Sequence, residues 1–313
     1  MEETPAEGII LAIKTIIFAI SVLAFVGVGV LFWNEKKTSK NVSTPWSGLY
    51  KLKLFISGSI ANVFDTLGVG SFAPLTAFDK YWSLIDDRKL PGTLNVQSIL
   101  PSLIQSFLFM EFVKIDFKTL VFLVVGSSLG GFCGGLVVGK FNRRKVRVSM
   151  LVGYFIFMLI ILFNQLGLSP LGGDLLGLTG TRLMIGFFSM MIIGLFPAFG
   201  LGNYAPTQIA LFALGMNPLA AFPIMTTAGT IQSSVTSLAF VFRKAINVRV
   251  ALFLTASGIV GVILAVPLVT HADPSLLRWV LFGVVLFNIR MLWVSLKGER
   301  VVEEEAETLP QTA

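Results

Sequence analysis

Long apolar runs alternate with short charged segments along the chain, at a spacing set by a bilayer rather than by a soluble core. Continuous apolar stretches lie at 8–33, 92–112, 118–139, 146–166, 219–242, 248–270 and 275–296. Each reaches the roughly 20 residues that a helix needs to cross a hydrocarbon core of about 30 Å. These stretches predict full-length spans. Two further apolar regions, 53–88 and 181–217, are broken internally by glycine and proline. The limb 53–67 would reach only about 22 Å as a helix, and the limb 206–217 less.

The two breaks are one motif written twice. Gly68-Val-Gly-Ser-Phe-Ala-Pro74 returns as Gly200-Leu-Gly-Asn-Tyr-Ala-Pro206. The likeness continues downstream, where Val113-Lys-Ile-Asp-Phe-Lys118 matches Lys244-Ala-Ile-Asn-Val-Arg249 and Arg147 matches Arg278. Each half therefore reads as one broken hairpin followed by three spans. Three crossings reverse direction, so the halves are expected to have inverted topology, with the hairpin tips approaching each other near the midplane.

Composition agrees with a membrane protein. The 313 residues are 55% hydrophobic and 13% charged, about half the charged fraction of a soluble domain. The net charge of +7 does not point to nucleic acid, because the basic residues stand in short clusters between apolar runs. These clusters are Lys36, Lys37, Lys40, Lys51 and Lys53; then Lys140, Arg143, Arg144, Lys145 and Arg147; then Arg243, Lys244 and Arg249. Reading 53–88 and 181–217 as re-entrant hairpins places all three clusters in the cytoplasm. The N-terminus is then outside, the C-terminus inside, and the His271-Ala-Asp273 loop outside. The mixed-charge loops 79–91 and 113–117 decide little.

The expected fold is thus an all-α polytopic membrane protein with an inverted repeat, each half a re-entrant broken helix plus three transmembrane helices. Residues 1–51 form an extra N-terminal helix and cytoplasmic linker, 52–166 the first repeat, 167–180 an external linker, 181–298 the second repeat and 299–313 an acidic tail. Residues 8–33 are read as a retained helix, since acidic residues replace the basic start of a signal peptide.

Candidate chemistry gathers at the breaks. Unpaired backbone at membrane depth is tolerated only inside protein or beside a wet cavity. Gly68, Gly70, Gly200 and Gly202 permit positive φ or close approach of another group. Pro74 and Pro206 suit a first helical turn, where a missing N–H costs nothing. The N–H groups ahead of each proline, with the helix dipole, would hold a small anion, aided by Ser71 and Asn203. Nearby polar residues that could complete a pocket are Thr93, Asn95, Gln97, Gln105, Thr226, Thr227, Gln232 and Thr236, although such residues also bond helix to helix. Asp65, three residues before Gly68, is either a coupling carboxylate for H+ or Na+ or a brace for the hairpin. Its repeat partner is Pro197.

Other features read as structural. Gly126, Gly130, Gly131, Gly134, Gly135 and Gly139 form a packing strip, with Cys133, the only cysteine, as a small packing residue within it. Lys14, Arg182 and Arg290 are expected to snorkel, and Glu111 to pair with Lys114. No P-loop, cysteine-based metal site or cofactor motif is present. An enzyme is not expected, because the lone His271 is placed far from Ser71 and Asp65 has no embedded carboxyl partner.

At these motifs the chain resembles the sulfite exporter TauE/SafE family of membrane transporters, over about residues 52–298. Gly68, Gly70 and Pro74 match the family's first loop, Gly200, Gly202 and Pro206 the second. Thr226-Thr227 sits where a Thr-Ser-like pair is expected. The family's third glycine stands here as Ser71 and Asn203, and the first-half pair as Thr93-Leu-Asn95. The resemblance implies a secondary transporter for export or uptake of small sulfur-containing or organic anions such as sulfite, sulfoacetate or other sulfonates, in a bacterial inner membrane; an exporter is the expectation adopted. An anion channel of the same architecture is the rival.

Overall fold

The computed structural model describes residues 5–38, 46–113, 115–168, 172–271, 279 and 282–297. Lys40, Lys114, the 272–278 loop with Arg278, the start of the last expected span, part of the 167–180 linker and the acidic tail lie outside the described residues.

The described chain is helical. Its order is α1 (Pro5–Thr38), α2 (Gly48–Thr66), α3 (Phe72–Trp82), α4 (Leu90–Phe112), α5 (Phe117–Val138), α6 (Arg143–Gln165), α7 (Gly180–Ile193), a 3-10 turn (Phe196–Phe199), α8 (Tyr204–Ala213), α9 (Pro218–Phe242), α10 (Val248–Ala265) and a second 3-10 turn (Val266–His271). A last helical stretch covers 282–297. Among the described residues, 5 helices are long and apolar enough to cross a bilayer: Leu11–Val30, Phe117–Val138, Arg143–Phe163, Gly180–Phe199 and Val248–Leu268. The chain is an integral α-helical membrane protein by this measure.

Two expected spans, 92–112 and 219–242, form long helices but are not among those five. Their polar residues lower the hydropathy, and the structure shows where that polarity goes. Helices α4 and α9 pack on each other at the centre. Asn95, Gln97, Ser98, Gln105, Thr226, Thr230, Gln232 and Ser233 are all buried. These groups meet protein, where hydrogen bonds remove the penalty of taking them from water.

The remaining helices pack around that pair in matched sets. Helix α2 lies on α10 as α7 lies on α5, and α10 lies on α4 as α5 lies on α9. Small residues set the distance. A Cβ on Gly126 would come 2.6 Å from the Phe187 carbonyl oxygen. Gly130 and Gly194 meet backbone carbonyls of the facing helix in the same α5–α7 seam, and Gly261 meets the Ser59 carbonyl across α10–α2. The glycine strip thus packs as expected. Cys133 does not pack within it, since it is exposed.

Each broken region begins and ends at the same end of the molecule. Tyr50, at the start of α2, donates its hydroxyl to the Leu84 carbonyl just past α3, at 2.8 Å. The second region is closed by a bridge between Leu175, ahead of α7, and Met216, beyond α8. The two closures lie at opposite ends. The first shares its end with Arg147, which pairs with Asp87 at 2.6 Å. Asn247 is there too, its N–H bonded to Thr93 Oγ1 at 3.0 Å. The second shares its end with the α4–α5 loop, where the Asp116 N–H meets the Leu176 carbonyl at 3.0 Å. At that end Lys14 bonds Glu111, a pairing across helices instead of the expected outward reach of Lys14. Lys51, Lys53, Lys140, Arg143, Arg147, Arg243 and Arg249 gather at the first closure, which we term the basic end.

The first limb of the first hairpin is longer than the apolar pattern implied. Helix α2 has 19 residues because it starts at Gly48, with Ser47 accepting from the Tyr50 N–H. It is therefore about 28 Å long. The apolar reading stopped at Lys53, although lysine at a helix end costs little when it reaches the interface.

Candidate functional site

The two breaks share one backbone device. At the first, the Gly68 N–H bonds the Asp65 carbonyl and the Val69 N–H bonds the Phe64 carbonyl, at 3.0 and 2.9 Å. At the second, Gly200 bonds Pro197 and Leu201 bonds Phe196, both at 3.1 Å. Both are Schellman closures, in which the residue past the helix must be left-handed. Gly68 and Gly200 supply it, at φ 88° and 78°. The first glycine of each motif thus ends the first limb.

The second glycine has another role. Gly70 and Gly202 are buried, yet a Cβ on either would meet no heavy atom within 4 Å. Each tip therefore borders enclosed open space. Gly70 also needs positive φ, at 89°, whereas Gly202 does not and leaves only room for another group to approach.

Helices α3 and α8 start from these tips. Helical bonding begins in both at matching positions, Leu75 to Ser71 and Thr207 to Asn203, each at 3.0 Å. Pro74 and Pro206 fall in the first turn as expected. Neither Ser71 nor Asn203 caps its helix with its side chain, unlike Ser47, Asp116, Asn217 and Asn247 at the starts of α2, α5, α9 and α10. The N–H groups of Phe72 and Ala73, and of Tyr204 and Ala205, precede any helical carbonyl that could accept them. The positive ends of two helix dipoles are thereby placed in the protein interior.

Asp65 takes part of the first tip. Its Oδ1 accepts the Ser71 N–H at 2.6 Å and its Oδ2 accepts Gln105 Nε2 at 3.0 Å. That is the geometry of a brace: a carboxylate from the end of α2 reaches across the break to the next N–H. Gln105 also bonds Thr66 Oγ1 at 3.1 Å and accepts the Tyr204 hydroxyl at 3.1 Å. One α4 side chain thus ties the first tip to the start of α8. Sequence reasoning missed Tyr204. The signal was present, since the motif has phenylalanine at the matching Phe72 and tyrosine adds only a hydroxyl.

The two tips approach each other along the middle of α4, through Gln105, which bonds both Asp65 and Tyr204, while the ends of the two first limbs overlap in depth. A Cβ on Gly68 would lie 3.3 Å from the Phe222 ring, by the start of α9, while one on Gly200 would lie 3.6 Å from Pro91, at the start of α4. Helices α4 and α9 start at opposite ends of the molecule, so the two limb ends have passed each other. Asn95 supports the second tip, donating to the Pro197 carbonyl at 2.8 Å. Gln97 reaches Ser71 Oγ at 3.4 Å, and Ser98 bonds Ser233 at 3.0 Å.

Thr226 and Thr227 part company. On α9, Phe222 faces the first tip, and a Cβ on Gly229 would lie 3.7 Å from the Tyr204 ring. At about 100° per residue Thr226 falls on that same face. Its hydroxyl bonds its own helix, at the Phe222 carbonyl, 2.9 Å away. Thr227 lies about 140° round from Phe222 and lines an apolar groove with Ile13, Ile17, Leu120 and Val124. Thr227 is thus turned away from the tips, as are Thr93, which accepts the Asn247 N–H, and Thr236, which lies against Gly131 and Gly135 of α5.

No family model, no curated protein and no solved structure matches the chain.

Proposed function

We propose that the protein is a secondary transporter of small anions, working by alternating access between two re-entrant hairpins of an inverted repeat. The observation that carries this reading is the pair of buried half-helix starts, neither capped by its own Ser71 or Asn203 side chain, each beside a glycine that borders enclosed space. Backbone N–H groups at a helix start bind anions without a buried arginine. A permanent scaffold has no use for two such breaks, which expose polar backbone at membrane depth. The matched packing sets and the two identical Schellman closures support the repeat. The site consists of Gly70, Ser71, Gly202 and Asn203 with the first turns at Pro74 and Pro206, flanked by Asn95 and Thr226. Gly68 and Gly200 shape the tips, and Asp65 braces the first. Sulfite, sulfoacetate and other sulfonates are the anions implied by the family resemblance, with export as the expected direction and H+ or Na+ as the coupling ion.

Binding is tested by melting the purified protein in detergent against a panel of small anions. A ligand that binds only the folded state raises the melting temperature with concentration. Saturable stabilisation by one class of oxyanion, lost in Gly202→Val, is the expected result. No stabilisation by any member would contradict the anion site.

Gathering of basic residues at one end supports a cytoplasmic placement of that end, with the N-terminus outside and the C-terminus inside. In a Cys133→Ala background, single cysteines at Ser83 and Lys145 are expected to react with an impermeant thiol reagent from one side. A cysteine at Leu176 is expected to react from the other. Reaction of Ser83→Cys and Lys145→Cys from opposite sides would remove the first re-entrant hairpin.

A further inference from the structure

The segment between α3 and α4, uninformative as a string of mixed charges, folds into a compact ionic cluster at the basic end. Lys80 bonds Asp87 and lies 3.5 Å from Asp79. Arg147 bonds the other oxygen of Asp87 at 2.6 Å, and Arg143 bonds Asp86 at 2.5 Å. Asp79 also accepts the Ile85 N–H at 2.7 Å, folding the loop back on α3. The side chains of Asp79, Lys80, Asp87 and Arg147 are 3, 8, 9 and 13% exposed. Burial pushes the Asp86 carboxyl up, but the Arg88 N–H and the Arg143 guanidinium outweigh it and hold it below the usual carboxylate range.

Three carboxylates here balance three cations, so the cluster offers no net charge to a ligand. Its members instead join parts that separate motion would pull apart. Asp79 and Lys80 close α3, the half-helix whose other end is the first tip. Arg143 and Arg147 stand one turn apart on one face of α6. A cavity of about 520 Å³ lies beside the cluster, lined on its far side by Met291, Val294 and Ser295 of the last helical stretch. That stretch holds α3 near the tip as well, through Asn288 Nδ2 to the Ala73 carbonyl at 2.9 Å. This cleft is open to the outside, so the base of α3 is not packed directly against the last helical stretch there. The wiring also tolerates opening. Asp87 keeps Lys80 on one oxygen if Arg147 leaves the other, so no buried charge is stranded, which would otherwise be costly.

We propose that the Asp79–Lys80–Asp87–Arg147 cluster, with the Asp86–Arg143 pair at its rim, is a latch. It holds α3 against α6 and closes the route from the basic end to the tips. This rests on the alternating-access reading, because a latch has a function only where the two sides open in turn.

The test uses Gly202→Cys in a Cys133→Ala background, a position where a side chain fits without backbone strain. An impermeant thiol reagent is applied from the basic end to proteoliposomes. Asp87→Asn and Arg147→Gln are each expected to speed labelling about tenfold or more, the factor that follows from shifting a two-state equilibrium by one broken pair. The double exchange Asp87→Arg with Arg147→Asp is expected to return the rate toward that of the parent. Where a buried variant does not elute as folded protein, Arg143→Gln breaks only the rim pair and is expected to speed labelling about threefold. Unchanged labelling in folded variants overturns the latch, even where the wild-type protein moves anions. Faster labelling that the exchange reverses supports the latch, and if the wild-type protein then carries no anion it is the transport reading that falls.

Discussion

Gly202→Val is expected to abolish anion uptake while leaving the protein folded. Gly202 has no positive φ and no atom within 4 Å of a Cβ, so valine fits the backbone and enters only the open space. That space is where an anion would meet the N–H groups of Tyr204 and Ala205. Each charge-assisted hydrogen bond contributes about 1.5–3 kcal/mol. Losing two weakens binding by about 100-fold or more. Gly70→Val is expected to block uptake too, but φ of 89° at Gly70 adds backbone strain, so its loss of function alone would not separate site from fold. Wild-type uptake by a folded Gly202→Val protein would remove the second tip from the site.

Asp65→Ala is expected to destabilise the protein by about 2–5 kcal/mol. It strands two buried donors, the Ser71 N–H and Gln105 Nε2, at about 1–3 kcal/mol each, while relief of a buried carboxylate offsets part of that. Asp65→Asn should be milder. Its oxygen still accepts Ser71, and Gln105 turns its amide over to accept from the new NH2 group, offering Nε2 to the Tyr204 hydroxyl. Thermal melting in detergent orders the variants: wild type, then Asn, then Ala. A melting temperature for Asp65→Ala equal to wild type would contradict the brace. The Asn variant also separates the brace from the coupling role. A brace leaves the ion dependence of any residual uptake intact. A coupling carboxylate loses its dependence on the H+ or Na+ gradient when replaced.

The sequence was most legible where backbone chemistry decides. A repeated Gly-x-Gly before proline placed both breaks, because only glycine closes a Schellman motif at φ near 80–90° and only a first turn accepts proline freely. Apolar length located the helices but ended the first limb at Lys53, since hydropathy does not credit a lysine that reaches the interface. The polar residues of α4 and α9, read from the sequence as pocket or interhelical groups, serve each other at the centre. Pairings between distant segments were invisible. Nothing local joins Lys14 to Glu111, Tyr204 to Gln105, or the Asp86-Asp87 pair to α6, because each contact depends on which helices become neighbours. Thr226 and Thr227 show the finest limit. Adjacent and alike in sequence, they face different surroundings because one residue turns a helix by about 100°.

The most direct measurement is uptake of a panel of small anions, including sulfite, sulfoacetate, taurine and acetate, into proteoliposomes with and without proton and sodium gradients. Saturable, gradient-dependent uptake of one anion class, abolished by Gly202→Val, is the predicted result. Fast flux that neither saturates nor follows a gradient would contradict alternating access in favour of a channel, and no flux of any panel member would contradict the anion-transport reading itself.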